Sequence, residues 1–337
     1  MGRSIEGDSY YNGSMTKINF TVGPTDIFDM DVKVDNIEYG ENATVRVLLP
    51  TLAEGNVTVY VDGVPRGTVG VVDGVAVLDN ISGLVGGTHY VNVTYNGGVN
   101  YAAKNFTNKQ FNVTPNRVWD LNLTVDAHKF GENTTFYVVL PEEVSKNVTL
   151  EIDGKFNHTV ILSDGKGNWT LNNLSGGFHT VKAYYEGDLN YTAKVVEKSF
   201  MIDKIIPYIH INGVQNISYP AGSSFTFNVT TNSTGWINVT LNGALVASGY
   251  INDTNFSLGI LNSGHYVIAA VVYENENYTY AAALLEFTVV KFDSNITVNV
   301  TGEFYPNDMV PINVTVANNY TGIVIVNVNG SYYAVMI

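Results

Sequence analysis

The chain has 337 residues, no cysteine, a net charge of -14 and only 14% charged residues. The lack of cysteine excludes disulfides and thiolate metal sites. The acidic balance disfavours nucleic acid and anionic lipid as partners, since both attract basic surfaces. No stretch reaches the roughly 18 apolar residues of a membrane span, so we expect no membrane contact within this segment.

Short motifs recur along the chain at a spacing of about 90 residues. The sequence YGEN at 39–42 returns as FGEN at 130–133. A two-residue turn signal recurs four times, as Asp62-Gly63, Asp153-Gly154, Asn242-Gly243 and Asn329-Gly330. A period of this size is too long for one solenoid turn and fits a small β-sandwich.

The repeat predicts three complete units between two partial ones. Residues 11–20 align with residues 191–200, so the chain is expected to begin inside a repeat, and the motifs after 292 predict that it ends inside another. The predicted domains are 1–24 (closing strand of a truncated repeat), 25–115, 116–204 and 205–291 (complete repeats), and 292–337 (the front of a truncated repeat).

Within each unit, apolar and polar residues alternate. In the first complete unit Val57, Val59 and Val61 alternate with polar neighbours, and the same pattern recurs at 148–152, 237–241 and 324–328. Strict alternation predicts strands with one buried face, and the Asp-Gly or Asn-Gly that follows predicts hairpins. No amphipathic helix is evident. The sequence therefore predicts an all-β fold of tandem Ig-like β-sandwich domains.

The junctions between units are short and are not Gly/Ser tethers. They lie at 114–116, 203–207 and 291–294. Linkers of this kind predict limited bending, so we expect neighbouring repeats of the same chain to contact one another in a rod.

These motifs together resemble a known repeat. The opening YGEN, the strand at 56–58 with its Asp62-Gly63 hairpin, and YYEGDLNY at 184–191 resemble the bacterial group 3 Ig-like repeat of adhesin-like cell-surface proteins. The Asn richness is most similar to the proteins of methanogenic archaea. The resemblance implies a cell-surface stalk or adhesion role and supplies no catalytic residues. The third unit departs most, with Pro220-Ala221-Gly222 at its opening.

Asparagine is concentrated in N-glycosylation sequons, of which the chain has 27. One interpretation is structural, because Asn-Val-Thr suits a strand whose Asn and Thr face outward. The other is that the outer faces are N-glycosylated in an exported, extracellular chain, and Asn is a poor strand residue otherwise. The candidate glycosylation sites are Asn42, Asn56, Asn92, Asn112, Asn147, Asn228, Asn238 and Asn313.

Three histidines, His89, His179 and His265, are predicted to occupy one equivalent position. They lie too far apart in sequence to share a metal, so we expect each to bond backbone at a sheet corner, where Ig-like domains often place Tyr. The loop with Glu186, Asp188 and Asn190 offers oxygen ligands for calcium. The alternative is a turn in which Tyr191 packs over the core.

The aromatic residues divide into two groups. Trp119, Trp169 and Trp236 do not occupy equivalent positions, so the sequence favours core or junction packing over a repeated sugar platform. Tyrosines such as Tyr60, Tyr90 and Tyr266 are predicted to lie outward or in loops, where Tyr and Asn together can bind by stacking and hydrogen bonding.

The chain shows no nucleophile elbow, phosphate loop or paired-carboxylate cleft, so we expect no enzymatic activity, no cofactor and no metal. The predicted function is a stalk or spacer segment of a cell-surface adhesin-like protein that also offers multivalent contacts to an unknown cell-surface glycan or protein. The alternatives are a carbohydrate- or protein-binding Ig-like module, and accessory repeats of a secreted enzyme.

Overall fold

The computed structural model describes residues 2–144, 146–213, 216–218, 225–291, 293–316 and 321–337. Within these ranges the chain forms strands and turns, and no helix, which confirms the all-β prediction. In particular, no helix there is long and apolar enough to cross a membrane. Pro220-Ala221-Gly222 and the predicted boundary at Phe292 lie outside the described residues.

The chain divides into two compact units. Unit 1 comprises Met1–His128, Glu132–Asn173 and Phe178–Met201, and unit 2 comprises Lys129–Gly131, Leu174–Gly177 and Ile202–Ile337.

Unit 1 begins with a hairpin of two short strands, and a complete first sandwich follows. The hairpin strands are β1 (Gly2–Ile5) and β2 (Ser14–Lys17). One sheet of the sandwich has the order β3-β5-β8 and the other the order β4-β10-β9-β6-β7. Their ranges are β3 (Asp31–Val34), β4 (Ile37–Glu38), β5 (Ala43–Leu48), β6 (Asn56–Val61), β7 (Val64–Gly70), β8 (Val75–Ile81), β9 (Gly87–Tyr95) and β10 (Lys104–Thr114). The chain crosses between sheets from β3 to β4, and β4 pairs parallel to β10, as in Ig-like sandwiches.

A second sandwich repeats this arrangement. Its sheets have the orders β11-β12-β15 and β14-β13-β16-β17. The ranges are β11 (Asn122–Asp126), β12 (Thr134–Val139), β13 (Val148–Ile152), β14 (Phe156–Val160), β15 (Lys166–Leu171), β16 (Gly177–Tyr185) and β17 (Lys194–Ile202).

Unit 2 contains a third sandwich and two terminal hairpins. The sandwich sheets have the orders β18-β20-β23 and β19-β25-β24-β21-β22, and the hairpins are β26-β27 and β28-β29. The ranges are β18 (Ile209–Asn212), β19 (Ile217–Ser218), β20 (Thr226–Thr231), β21 (Ile237–Leu241), β22 (Ala244–Gly249), β23 (Thr254–Ser257), β24 (Gly264–Val272), β25 (Ala281–Val290), β26 (Thr297–Asn299), β27 (Asn313–Thr315), β28 (Ile323–Val328) and β29 (Ser331–Met336).

The cores follow the predicted alternation. Val57, Val59 and Val61 of β6 are fully buried, and they pack with the inward residues of β5 and β9. In the third sandwich Ile237 and Val239 take the same role. Because the side-chain period of a strand is two, the residues between them face outward, and this parity decides which strand residues are exposed.

The hairpin turns explain the recurring Asp-Gly and Asn-Gly. Asp62 and Gly63 have φ of 54° and 78°, and Asn242 and Gly243 have φ of 49° and 83°. A two-residue turn with both residues left-handed matches strand twist and favours Asn or Asp followed by Gly. The hairpin prediction is confirmed at all four positions, including Asp153-Gly154 and Asn329-Gly330.

Candidate functional site

The strongest candidate site is the contact between the first and second sandwiches, both in unit 1. We call it the joint and define it by Tyr39, Gly86, Asn116, Asn190 and Tyr191. The Gly86 N–H donates to Asn190 Oδ1 at 2.8 Å. The rings of Tyr39 and Tyr191 meet edge to face with centroids 5.3 Å apart. A side-chain amide and an aromatic pair therefore fasten the loop before β9 and the end of β4 to the loop between β16 and β17.

The linker residue Asn116 takes part in the same assembly. Its N–H donates to Asn190 O at 2.8 Å, and its O accepts from the Thr192 N–H at 3.1 Å. The linker is thereby hydrogen-bonded to the loop between β16 and β17, which restricts the backbone dihedrals of the linker. Gly86 is required by close approach, because a Cβ built there would lie 1.6 Å from Leu189 O.

The same contacts recur inside unit 2. There the Gly176 N–H donates to Asn277 Oδ1 at 2.9 Å, and Phe130 meets Tyr278 edge to face at 5.5 Å. Ile205 pairs with this loop through hydrogen bonds to Asn277 and Thr279. A contact pattern that recurs with the sequence repeat indicates a built interface.

Neutral aromatic residues hold the joint. Trp119 packs against Tyr185 and Tyr191, which confirms the prediction of core or junction packing for this residue. Burial, with the nearby charge of Glu143 and the neighbouring Tyr39, raises the pKa of Tyr191 to about 12. The Tyr191 hydroxyl therefore stays protonated and donates to Glu143 Oε2 at neutral pH.

The loop proposed for calcium is a turn built on Asp188. Its Oδ1 accepts the N–H groups of Asn190 and Tyr191, each at 2.8 Å, and its Oδ2 accepts the Tyr185 hydroxyl at 2.7 Å. Tyr191 is buried over the core, so the turn interpretation is confirmed. No group of three His, Asp or Glu side chains in the described ranges is arranged to hold a metal.

His89 is a corner residue that also contacts a carboxylate. Its Nδ1 lies 2.6 Å from Asp62 Oδ2 and its Nε2 lies 2.7 Å from Val85 O. The two ring nitrogens thus contact a carboxylate and a backbone carbonyl. The predicted backbone bond at the corner is confirmed, and His179 contacts Asp153 in the same way at 2.7 Å.

Asp62 responds to this environment. Burial alone would raise its pKa, but the hydrogen bond from His89, the Tyr90 N–H and the His89 charge outweigh burial and lower it. The pKa of Asp153 is lowered by the same balance, with His179 and Thr180 in the corresponding roles.

The predicted equivalence of His265 is wrong. In the third sandwich Asn242 pairs with Val267 where Asp62 pairs with Tyr90, so the residue that matches His89 is Tyr266. The Tyr266 hydroxyl donates to Asn262 O at 2.9 Å, four residues back, and its ring stacks on Phe287. Tyr266 is therefore a corner residue and not outward as predicted. A one-residue slip in spacing moves His265 to the exposed face.

The tryptophan prediction holds in part. Trp169 is half-buried against Phe136 and stacks on His158, as core packing requires. Trp236 contradicts the prediction, because 47% of it is exposed. The parity of β21 explains why: Ile237 and Val239 face inward, so residue 236 must face outward.

None of the eight candidate sequon asparagines is buried. Asn42, Asn56, Asn112, Asn147 and Asn313 are exposed, and the other three, Asn92, Asn228 and Asn238, are half-buried. Two further sequon asparagines, Asn190 and Asn277, accept hydrogen bonds at the joint and at its counterpart in unit 2. The outward face of the strands is thus exposed, whereas the side-chain oxygens of Asn190 and Asn277 make contacts at the joint and at its counterpart.

Comparison with known proteins gives structural likenesses only. No protein-family model matches the chain, and no curated protein matches it either. The D1–D4 ectodomain fragment of ICAM-5 is similar over 93% of this chain and 98% of its own, with 10% identity and a TM-score of 0.35. The ectodomain of mouse nectin-like molecule 4 covers 77% and 97%, with 12% identity and a TM-score of 0.30. The Escherichia coli adhesin FdeC covers 80% and 100%, with 14% identity and a TM-score of 0.28. Because these scores are low, the Ig-like assignment rests on the strand pairing itself.

Proposed function

We propose that this chain is a non-enzymatic segment of a cell-surface adhesin-like protein, in which tandem Ig-like domains at 25–115, 116–204 and 205–291 act as a spacer. The joint is the observation that carries this proposal. A spacer transmits force and sets distance only if consecutive domains hold a fixed angle, and domains joined by bare linkers move freely. Asn116, Asn190 and Gly86 replace a free linker with directional hydrogen bonds.

The carboxylates support a structural role. Asp62, Asp153 and Asp188 each accept hydrogen bonds that shape a turn or a corner. A catalytic carboxylate would instead face a cleft with a substrate-sized opening. The spacing and repetition of the domains suit weak contacts strengthened by number, toward an unknown cell-surface glycan or protein.

We also propose an extracellular location and a parent protein of the methanogen adhesin-like type. The outward position of Asn56, Asn112 and Asn147 supports an exported chain, as does the concentration of sequons. Antibodies raised against the purified segment should label intact cells of the source organism. Labelling that needs permeabilised cells would contradict the location.

Glycosylation is tested on chain purified from its own host. We expect peptides containing Asn56, Asn112 or Asn147 to carry added sugar mass, because these side chains face solvent on regular strands or loops. Peptide mapping by mass spectrometry measures this directly. Bare peptides at all three positions would contradict the proposal and leave the structural interpretation of the sequons.

Binding assays separate a spacer from a binding module. We expect single repeats to bind cells or glycan arrays weakly or not at all, and the tandem to bind only through repetition. Full-strength binding by one isolated repeat would favour a carbohydrate- or protein-binding module over the spacer.

A further inference from the structure

The third sandwich carries an exposed aromatic cluster on the outer face of its five-stranded sheet. We call Trp236, Tyr250 and Tyr273 the aromatic platform; they are 47%, 79% and 47% exposed. Trp236 and Tyr250 meet edge to face with centroids 5.4 Å apart. Grouped exposed rings offer an apolar surface that a ligand or partner can cover.

The first and second sandwiches have no aromatic residue at these places. Ile237 pairs with Gly249 as Val57 pairs with Val69, which fixes the correspondence. The platform positions therefore correspond to Asn56, Gly70 and Asn96 in the first sandwich, and to Asn147, Ile161 and Glu186 in the second. The third repeat therefore has three aromatic residues where the other two repeats have a mixed face.

The position of the sequon also differs in the third repeat. Trp236 stands where Asn56 and Asn147 begin sequons, and the sequon of the third repeat begins two residues later, at Asn238. Asn238 has the same strand parity as Trp236, so both face the same side of the sheet. An acceptor asparagine thereby lies among the exposed rings.

Hydrogen bonds hold the Asn238 carboxamide in place. Its Oδ1 accepts from the Ser248 hydroxyl at 2.6 Å and from Trp236 Nε1 at 3.3 Å. Its Nδ2 donates to the Tyr273 hydroxyl at 3.1 Å. The amide nitrogen carries two hydrogens and glycosylation replaces one, so the bond to Tyr273 can remain.

Asn228 offers a contrast in the same sandwich. Its Nδ2 lies 3.1 Å from both Asp253 Oδ1 and Asn255 Oδ1. Both of its hydrogens are directed at acceptors, so a sugar there would displace a hydrogen bond.

We propose that Asn238 is an N-glycan acceptor whose first sugar packs on Trp236 and Tyr273 and covers the aromatic platform. A pyranose ring has an apolar C–H face that suits an aromatic ring, and hydroxyls that suit the neighbouring Ser248 and Tyr273. The occupant is the chain's own glycan because the Asn238 carboxamide already contacts both residues: its Oδ1 accepts from Trp236 Nε1, and its Nδ2, the attachment atom, donates to the Tyr273 hydroxyl.

The modification follows ordinary acceptor chemistry. The Asn238 nitrogen attacks the anomeric carbon of a polyprenyl-diphosphate-linked oligosaccharide, supplied by the cell's oligosaccharyltransferase. The N–C bond forms, the C–O bond to diphosphate breaks, and the lipid diphosphate leaves with the electron pair. The amide proton passes to a base of the transferase. The inference rests on the proposed export, since this donor is met outside the cytosol.

The test uses the full chain secreted from a eukaryotic host that glycosylates Asn-x-Thr, with its glycans trimmed to the first sugar. Peptide mapping should find sugar on Asn238. Thr240→Val removes the sequon and leaves Asn238 and the platform in place, and it should lower the Tm of the third sandwich by about 4 °C. In a Trp236→Thr background the same Thr240→Val change should leave Tm unaltered.

Thr58→Val is the matched control, because it removes the Asn56 sequon at the corresponding strand without aromatic neighbours. Loss of the sugar at Asn56 should leave the Tm of the first sandwich unchanged. A bare Asn238 in chain whose Asn56 is modified would overturn the inference, as would a Thr240→Val effect that survives Trp236→Thr. Binding of free chitin oligosaccharides by unglycosylated chain, abolished by Trp236→Thr, would also overturn it in favour of an external sugar. None of these outcomes affects the joint, so they leave the spacer proposal standing.

Discussion

Replacing His89 with Ala is expected to lower the free energy of unfolding of the first sandwich by about 3 kcal/mol. The His89 ring is buried and tilted against Phe111 with centroids 5.5 Å apart, so its removal leaves a cavity. It also removes the two ring nitrogens that contact Asp62 Oδ2 and Val85 O. Hydrogen exchange of the β9 amides measures the loss locally, which matters in a chain of several sandwiches.

His265→Ala is the matched control. The His265 side chain is 58% exposed, and its nearest carboxylate is Glu286 at 3.5 Å. An exposed substitution of this kind should change stability by less than about 0.5 kcal/mol. Equal effects at positions 89 and 265 would contradict the assignment of only one of them to the buried corner.

A rescue follows from the third sandwich. There the pair Asn242 and Tyr266 stands where the first sandwich has Asp62 and His89. The Tyr hydroxyl is the only donor of that side chain, and it is used on a backbone carbonyl, so no donor is left for a carboxylate at position 62. A neutral Asn at that position does not require a hydrogen bond from the corner residue. We expect the double variant Asp62→Asn with His89→Tyr to be more stable than His89→Tyr alone. A double-mutant cycle measures the coupling, and strict additivity would contradict it.

The lowered pKa of Asp62 and Asp153 predicts a pH dependence with a definite sign. A carboxyl group with a folded-state pKa below its unfolded value stabilises the fold above the unfolded pKa, about 3.9. That contribution is lost as pH falls through the folded-state pKa. We expect the free energy of unfolding of the first and second sandwiches to fall below about pH 4. In the first sandwich, Asp62→Asn should reduce this dependence on acid pH. An unchanged pH dependence in the variant would contradict the role of the Asp62 and His89 pair.

Replacing Gly86 with Ala is expected to open the joint without unfolding either sandwich. The added Cβ would lie 1.6 Å from Leu189 O, a backbone atom that cannot yield without the two loops separating. The bond from residue 86 to Asn190 is then lost, and amide exchange at residue 86 should rise at least about tenfold. Gly70→Ala is the control, because its nearest neighbour is Asn56 Oδ1 at 3.8 Å. Unchanged protection at residue 86 would contradict the close contact.

The strands and turns were predictable because their causes are local. The alternation of Val57, Val59 and Val61 with polar residues indicates which face of the strand is buried, and Asp62-Gly63 indicates where the chain reverses. The outward position of Trp236 could also have been found, since the parity of Ile237 and Val239 already required it. The prediction failed because it compared tryptophans between repeats and not with their own strand neighbours.

The joint was beyond the sequence pattern for a physical reason. Gly86 and Asn190 are 104 residues apart and belong to different repeats, and the sequence pattern related Asn190 only to residues of its own loop. Only the placement of two loops against each other gives them a role. The His265 error has a related origin, because matching by order along the chain cannot detect a slip of one residue, whereas strand pairing fixes Tyr266 at the corner.

The most direct test of the spacer proposal is the distance between two labels, one in each sandwich of unit 1. The chain has no cysteine, so Thr68→Cys and Thr159→Cys give two clean attachment points at equivalent exposed positions on β7 and β14. Pulsed electron paramagnetic resonance of the spin-labelled chain should give one narrow distance distribution, and Gly86→Ala should broaden it. A broad distribution in the parent chain, unchanged by Gly86→Ala, would contradict a rigid joint and the spacer function proposed from it.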